Sequence, residues 1–85
     1  MEFLINVIGY LAAFIGSVMF MPQVIKTWKT KETKSLSLLS YSLLVAVSLL
    51  WLIYGILLMA GPIIVVNFIL LCLSTFIVIL KLRYP

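Results

Sequence analysis

The chain has no histidine, only two carboxylates, Glu2 and Glu32, and a single cysteine, Cys72. Each shortage removes a class of chemistry. With no histidine, and with both carboxylates outside the apolar stretches, general acid–base or triad catalysis has no credible base. A metal site is equally short of ligands, because no second donor of the usual type accompanies Cys72. Cys72 reads as a small apolar residue of the core or lipid face, and a disulfide within one protomer is impossible. The chain is therefore expected to be a non-enzyme without cofactor or metal.

Charge is scarce as well. Charged residues make up 9% of the chain and hydrophobic ones 66%, against about 25% and about 45–50% in soluble domains. The solvent this implies is a bilayer. No charge occurs from Phe3 to Ile25 or from Ser35 to Leu80, lengths that fit one crossing and two at about 20 residues each. Met59-Ala60-Gly61-Pro62 divides the longer stretch, and Pro62 suits the first position of the next helix because its missing N–H has no partner there anyway. The reading is an all-α membrane protein, with residues 1–85 forming a single bundle of helices at about 3–25, 38–59 and 62–80. The first segment reads as a span rather than a secretory leader, since it opens on Glu2 and its apolar run exceeds the usual length.

What charge there is sets topology. Lys26, Lys29, Lys31 and Lys34 follow helix one, Lys81 and Arg83 follow helix three, and the loop between helices two and three has none. The positive-inside rule then puts the first loop and the C-terminus in the cytoplasm and the N-terminus outside, and the apolar spans suit a plasma or inner membrane. The net charge of +4 is a topology and headgroup signal rather than one for nucleic acid, because the cations flank helices. Proton-coupled carriers generally keep an Asp, Glu or His inside the membrane. This chain has none there, so any transport is expected to run downhill.

Polar but uncharged groups remain inside the spans. Pro22-Gln23 sets a helix breaker and an amide at membrane depth: proline removes one backbone bond and clashes with the carbonyl of Val18, at about 3 kcal/mol. In lipid such a break needs cover by protein or a polar cavity. Gly9, Ala12, Ala13, Gly16 and Ser17 recur at spacings of three and four, a stripe for close helix packing. Ser17, about one turn before Pro22, stands apart as a residue for packing, for a secondary pocket or for resolving the broken backbone. The amide of Asn67 cannot satisfy both its ends on its own helix, so it requires another helix, water or a ligand. Trp51 lies about 10 Å of helix rise from the end of helix two, deeper than an interfacial belt. Trp51 and Asn67 fall at comparable depth, an apolar slab beside an amide, which suits a neutral polyhydroxylated solute.

Pro22-Gln23, then Lys26-Thr27, the stretch from Thr30 to Ser37, Trp51-Leu52-Ile53-Tyr54-Gly55-Ile56, and Asn67 sixteen positions after the tryptophan, closely resemble the bacterial SemiSWEET sugar transporters. These belong to the PQ-loop superfamily, with the SWEET uniporters and more distant lysosomal amino-acid carriers. The resemblance covers essentially the whole chain. It implies a triple-helix bundle with helix three between one and two, paired as a parallel homodimer of six helices about a central pathway. It further implies sugar binding by Trp51 and Asn67 of both protomers, a hinge at Pro22-Gln23 and an extracellular gate at Tyr54. One departure stands out: where some relatives close the outer side with an Arg and an Asp, this chain has Leu58 and Ala60. The residues also ask for a partner on their own account, because three helices hardly surround a path wide enough for a sugar and six can.

The expected function is facilitative transport of mono- or disaccharides by alternating access at the dimer axis. Two alternatives stay open. A PQ-loop carrier of another small polar solute, such as an amino acid, needs a partner for ionic groups that the membrane interior lacks. A non-transporting assembly subunit uses the small-residue stripe and Asn67 for packing alone.

Overall fold

A computed structural model describes residues 1–85 as three helices, α1 (Glu2–Thr30), α2 (Leu38–Leu58) and α3 (Gly61–Arg83). All three are long and apolar enough to cross a membrane. α1 outruns its apolar stretch by five residues. The loss of hydrophobicity at Lys26 ends the lipid-compatible run but not the helix, because lysine is a good helix former. Thr30 Oγ1 donates to the Lys26 carbonyl at 2.8 Å, and Lys31 then turns left-handed at φ 59° with its N–H on the Thr27 carbonyl at 2.9 Å. A helix of 29 residues is about 43 Å long, against a hydrocarbon core of about 30 Å, so its last turns stand among headgroups.

The other ends have equally local causes. Ser37 caps α2, its hydroxyl accepting the Ser40 N–H at 3.1 Å, as short polar side chains do at helix starts. α2 closes in a Schellman motif: the Met59 N–H reaches Ile56 O at 3.1 Å and the Ala60 N–H reaches Gly55 O at 2.8 Å, with Met59 left-handed at φ 56°. α3 begins at Gly61, one residue earlier than expected, and Pro62 still sits in the first turn. It continues past Leu80 because Lys81 and Arg83 suit the negative end of the helix dipole.

α3 lies between the other two. It packs along both, whereas no Cα of α1 lies within 8 Å of a Cα of α2. Gly9 meets Pro62, Gly16 meets Val66 and Trp28 meets Phe76, so α1 and α3 run in the same direction. Gly55 meets Ile63 while Ser42 and Val45 lie beside Thr75 and Val78, so α2 runs against them. The result is a slab of 47 × 22 × 14 Å, three helices wide and one deep.

Its packing is the reverse of a water-soluble protein's. Apolar burial is confined to Ala13, Val24, Ile77 and Leu80, and Ser17, Thr27, Thr33, Ser48 and Ser74 are buried with them. Large apolar side chains such as Phe3, Phe14, Leu50 and Leu57 point outward. Small residues inside let backbones approach where lipid removes the hydrophobic drive for helix association. At Gly9 a Cβ would come 2.7 Å from Pro62 Cγ, and at Gly55 2.8 Å from Ile63 Cγ2. Ser17 and Ser74 satisfy their hydroxyls on the carbonyls of Ala13 and Leu70, at 2.7 and 2.6 Å. Ser48 does not: its buried hydroxyl has no partner.

Placing α3 centrally forces the segment 31–37 to pass over its C-terminal end. Two interhelical spacings of about 8–10 Å must be bridged, and seven residues reach about 23–25 Å at full extension. The crossing is tied down rather than loose. Lys81 Nζ donates to the Thr33 carbonyl at 2.6 Å, and the Thr33 hydroxyl donates to the Tyr84 carbonyl. The Lys31 ammonium lies 5.6 Å from both the Trp28 and Tyr84 ring centres. All the lysines and Arg83 collect at this end, opposite the α2–α3 turn.

Candidate functional site

At 100° per residue, Ser48 and Gly55 mark the line along which α2 is buried against α3. Roughly a quarter-turn round the helix from that line lie Val47, Leu50, Trp51 and Tyr54, around an open hollow of about 420 Å³. Trp51 and Tyr54 are each half-exposed. Their rings meet edge to face, with centres 5.2 Å apart and planes at 89°, the geometry that aromatic quadrupoles favour. The indole is thus steadied from one side while much of its surface stays free. An apolar face of this kind can stack on the CH face of a ring-shaped solute.

Asn67 lies on the next helix. It is six residues past the start of α3 and Trp51 is seven before the end of α2, or about 9 and 10 Å of rise from the same turn. The two therefore share a depth, although Asn67 does not line the Trp51 hollow. Its one hydrogen bond within the protomer runs from Nδ2 to the Ile63 carbonyl at 2.9 Å. That leaves Oδ1 to accept from a donor outside the chain. No group of residues able to hold a metal ion is present.

Toward the lysine end, α1 passes through Pro22 without interruption. Gln23 reaches another helix: its Nε2 donates to Tyr41 Oη at 2.6 Å. Ser17 is buried and turned to Ala13, not to the carbonyl freed by Pro22. Beyond Gln23 a polar hollow of about 210 Å³ opens among Lys26, Thr30, Glu32 and Ser35. Leu58 is exposed beside the α2–α3 turn, and Ala60 caps the start of α3. The structure thus joins Trp51 to Tyr54 and Gln23 to Tyr41, and keeps these two pairs at different levels. Tyr41 and the ties at Lys31, Thr33 and Lys81 escaped sequence reasoning. Their only sequence signal is a hydroxyl or ammonium near a helix end, and their partners lie up to 51 residues away.

Residues 4–64 match the family described as PQ loop repeat. A sugar transporter SemiSWEET of Leptospira biflexa is 42% identical over 77 residues, covering 91% of each chain. Its namesake from Bradyrhizobium diazoefficiens is 40% identical over 82 residues, covering 96% of this chain and 95% of its own. Among solved structures, a bacterial homologue of SWEET transporters superposes with a TM-score of 0.89 at 35% identity, over 96% of this chain and 99% of the other. A SemiSWEET in the inward-open conformation gives 0.90 at 29% identity, over 98% and 88%.

Proposed function

The chain belongs to the SemiSWEET members of the PQ-loop family, and from that premise we propose that it carries a sugar across a membrane by facilitated, uncoupled exchange. The observation that carries this reading is the half-exposed Trp51, braced by Tyr54 over an open hollow, in spans that hold no charge. A neutral polyol needs a stacking face and hydrogen-bond partners but no counter-ion. Indole supplies the first, and Asn67 Oδ1, at the same depth, supplies an acceptor. An amino acid would bring two charges into spans without a compensating one, which disfavours that class of substrate.

A slab one helix deep cannot enclose a solute. In this proposal a second copy lies parallel to the first, so that paired Trp51 and Asn67 residues flank a site on the two-fold axis. The likeness to solved structures of SemiSWEET and of a bacterial SWEET homologue supports a SemiSWEET-type assembly. With the lysines cytoplasmic, Tyr54 gates the outer side, where Leu58 and Ala60 leave closure to the phenol ring and apolar packing. Pro22-Gln23 is the inner hinge about which the end of α1 swings. Ser17, buried against its own helix, serves packing in this scheme. The membrane is the bacterial inner one, with the N-terminus outside.

Counterflow of radiolabelled sugar into proteoliposomes without a proton gradient tests the proposal. Wild type exchanges sugar but not amino acids, and Trp51→Ala or Asn67→Ala lowers exchange at least about tenfold, the effect of about 1.4 kcal/mol. Wild-type rates in both variants would overturn the site, and absence of any flux in the wild type would overturn transport itself.

A further inference from the structure

We propose that Tyr41 is the positioning residue of the hinge: its hydroxyl holds Gln23 and thereby sets how often α1 bends at Pro22. The inference rests on the reading of Pro22 given above and adds the group that governs it. α3 separates α1 from α2, with no Cα of one within 8 Å of a Cα of the other. The hydrogen bond and the aromatic pair that nevertheless cross from α1 to α2 both end on Tyr41. Its ring centre lies 6.3 Å from that of Phe20, at an interplanar angle of 36°, and its hydroxyl accepts from Gln23 Nε2 at 2.6 Å.

Phe20 and Gln23 bracket Pro22, two residues before it and one after. A single side chain thus grips both sides of the break. Tyr41 is itself well anchored, with its N–H on the Ser37 carbonyl at 3.1 Å, behind a capped helix start and a crossing segment pinned at Thr33. The soft member of the pair is α1, one backbone bond short at Pro22. A swing of the Lys26–Thr30 turns away from α2 stretches the Gln23–Tyr41 bond before any other polar link between the two helices. Where two helix shapes are close in energy, one hydrogen bond between neutral groups is enough to shift their ratio by about two- to tenfold.

The test compares full-length Tyr41→Phe, Gln23→Leu and the double variant in proteoliposomes. Tyr41→Phe keeps the ring on Phe20 and removes only the hydroxyl, and Gln23→Leu breaks the same bond from the other side should the first variant fail to fold. In a Cys72→Ser background, spin labels at Lys29→Cys on α1 and Leu39→Cys on α2, diluted with unlabelled protein, report the distance between the two helix ends. Each single variant is expected to shift the ratio of near to far distances, and the sugar exchange rate with it, by about two- to tenfold. The double variant shifts no further than the larger single effect, because only one bond is lost. Unchanged distances in both single variants, or fully additive shifts in the double, overturn the role of Tyr41. Wild type that carries no sugar overturns the transport reading instead, and the distance populations still decide the bond.

Discussion

The two ends of the slab are held by different means. At the α2–α3 turn the chain relies on close backbone approach: Gly55 against Ile63, Gly9 against Pro62, and a Schellman closure at the end that carries no lysine or arginine. At the lysine end, where Val24, Ile77 and Leu80 are also buried, side-chain links are added to the packing, from Gln23 to Tyr41, from Lys81 to Thr33, and from Lys31 to two aromatic rings. Packing of small residues has essentially one good arrangement, because any separation loses contacts. Hydrogen bonds can be exchanged for others in discrete steps. If Pro22 is the proposed hinge, the exchangeable links of the lysine end are where two helix shapes would interconvert.

Pro22→Ala is the strongest way to break this contrast. It restores the missing bond and stiffens the lysine end, and because proline disfavours the straight helix by about 3 kcal/mol, exchange is expected to slow tenfold or more. Sugar binding, read by equilibrium dialysis, should persist. Gly55→Val attacks the other end. Its branched side chain must displace Ile63, and overpacking of this kind costs about 1–3 kcal/mol, read as a lowered midpoint in detergent unfolding. Lys81→Met sharpens the comparison by removing one polar tie while keeping the stem: a loss of about 1 kcal/mol is expected, with a faster amide exchange at residues 31–37. Ser48→Ala should be the mildest, within about 0.5 kcal/mol of wild type or slightly stabilising, since the buried hydroxyl it removes has no partner.

The same contrast divides what the sequence reveals from what it hides. Helix number and the position of the α2–α3 turn follow from charge-free length and from Gly61-Pro62, features written locally in the chain. Trp51 and Asn67 stand out because an indole and an amide are costly choices in lipid. The ends of α1 and α3 lie a few residues beyond the apolar stretches, since hydropathy marks the lipid boundary while helices run on through Lys26 and Lys81. The central place of α3 was implied by family likeness and not by hydropathy, which is blind to neighbour order. The partner of Gln23 has no signature at all: Tyr41 lies eighteen residues away, and only the folded bundle brings its hydroxyl to the amide.

α1 starts and α3 finishes at opposite ends of the slab. For two copies standing side by side in the same sense, the last residue of one and the first of the next would then face different compartments. A gene that fused them end to end could not use a short hydrophilic linker. It would need one additional apolar segment of about 20 residues to carry the chain back across, and the resulting polypeptide would have an odd number of spans.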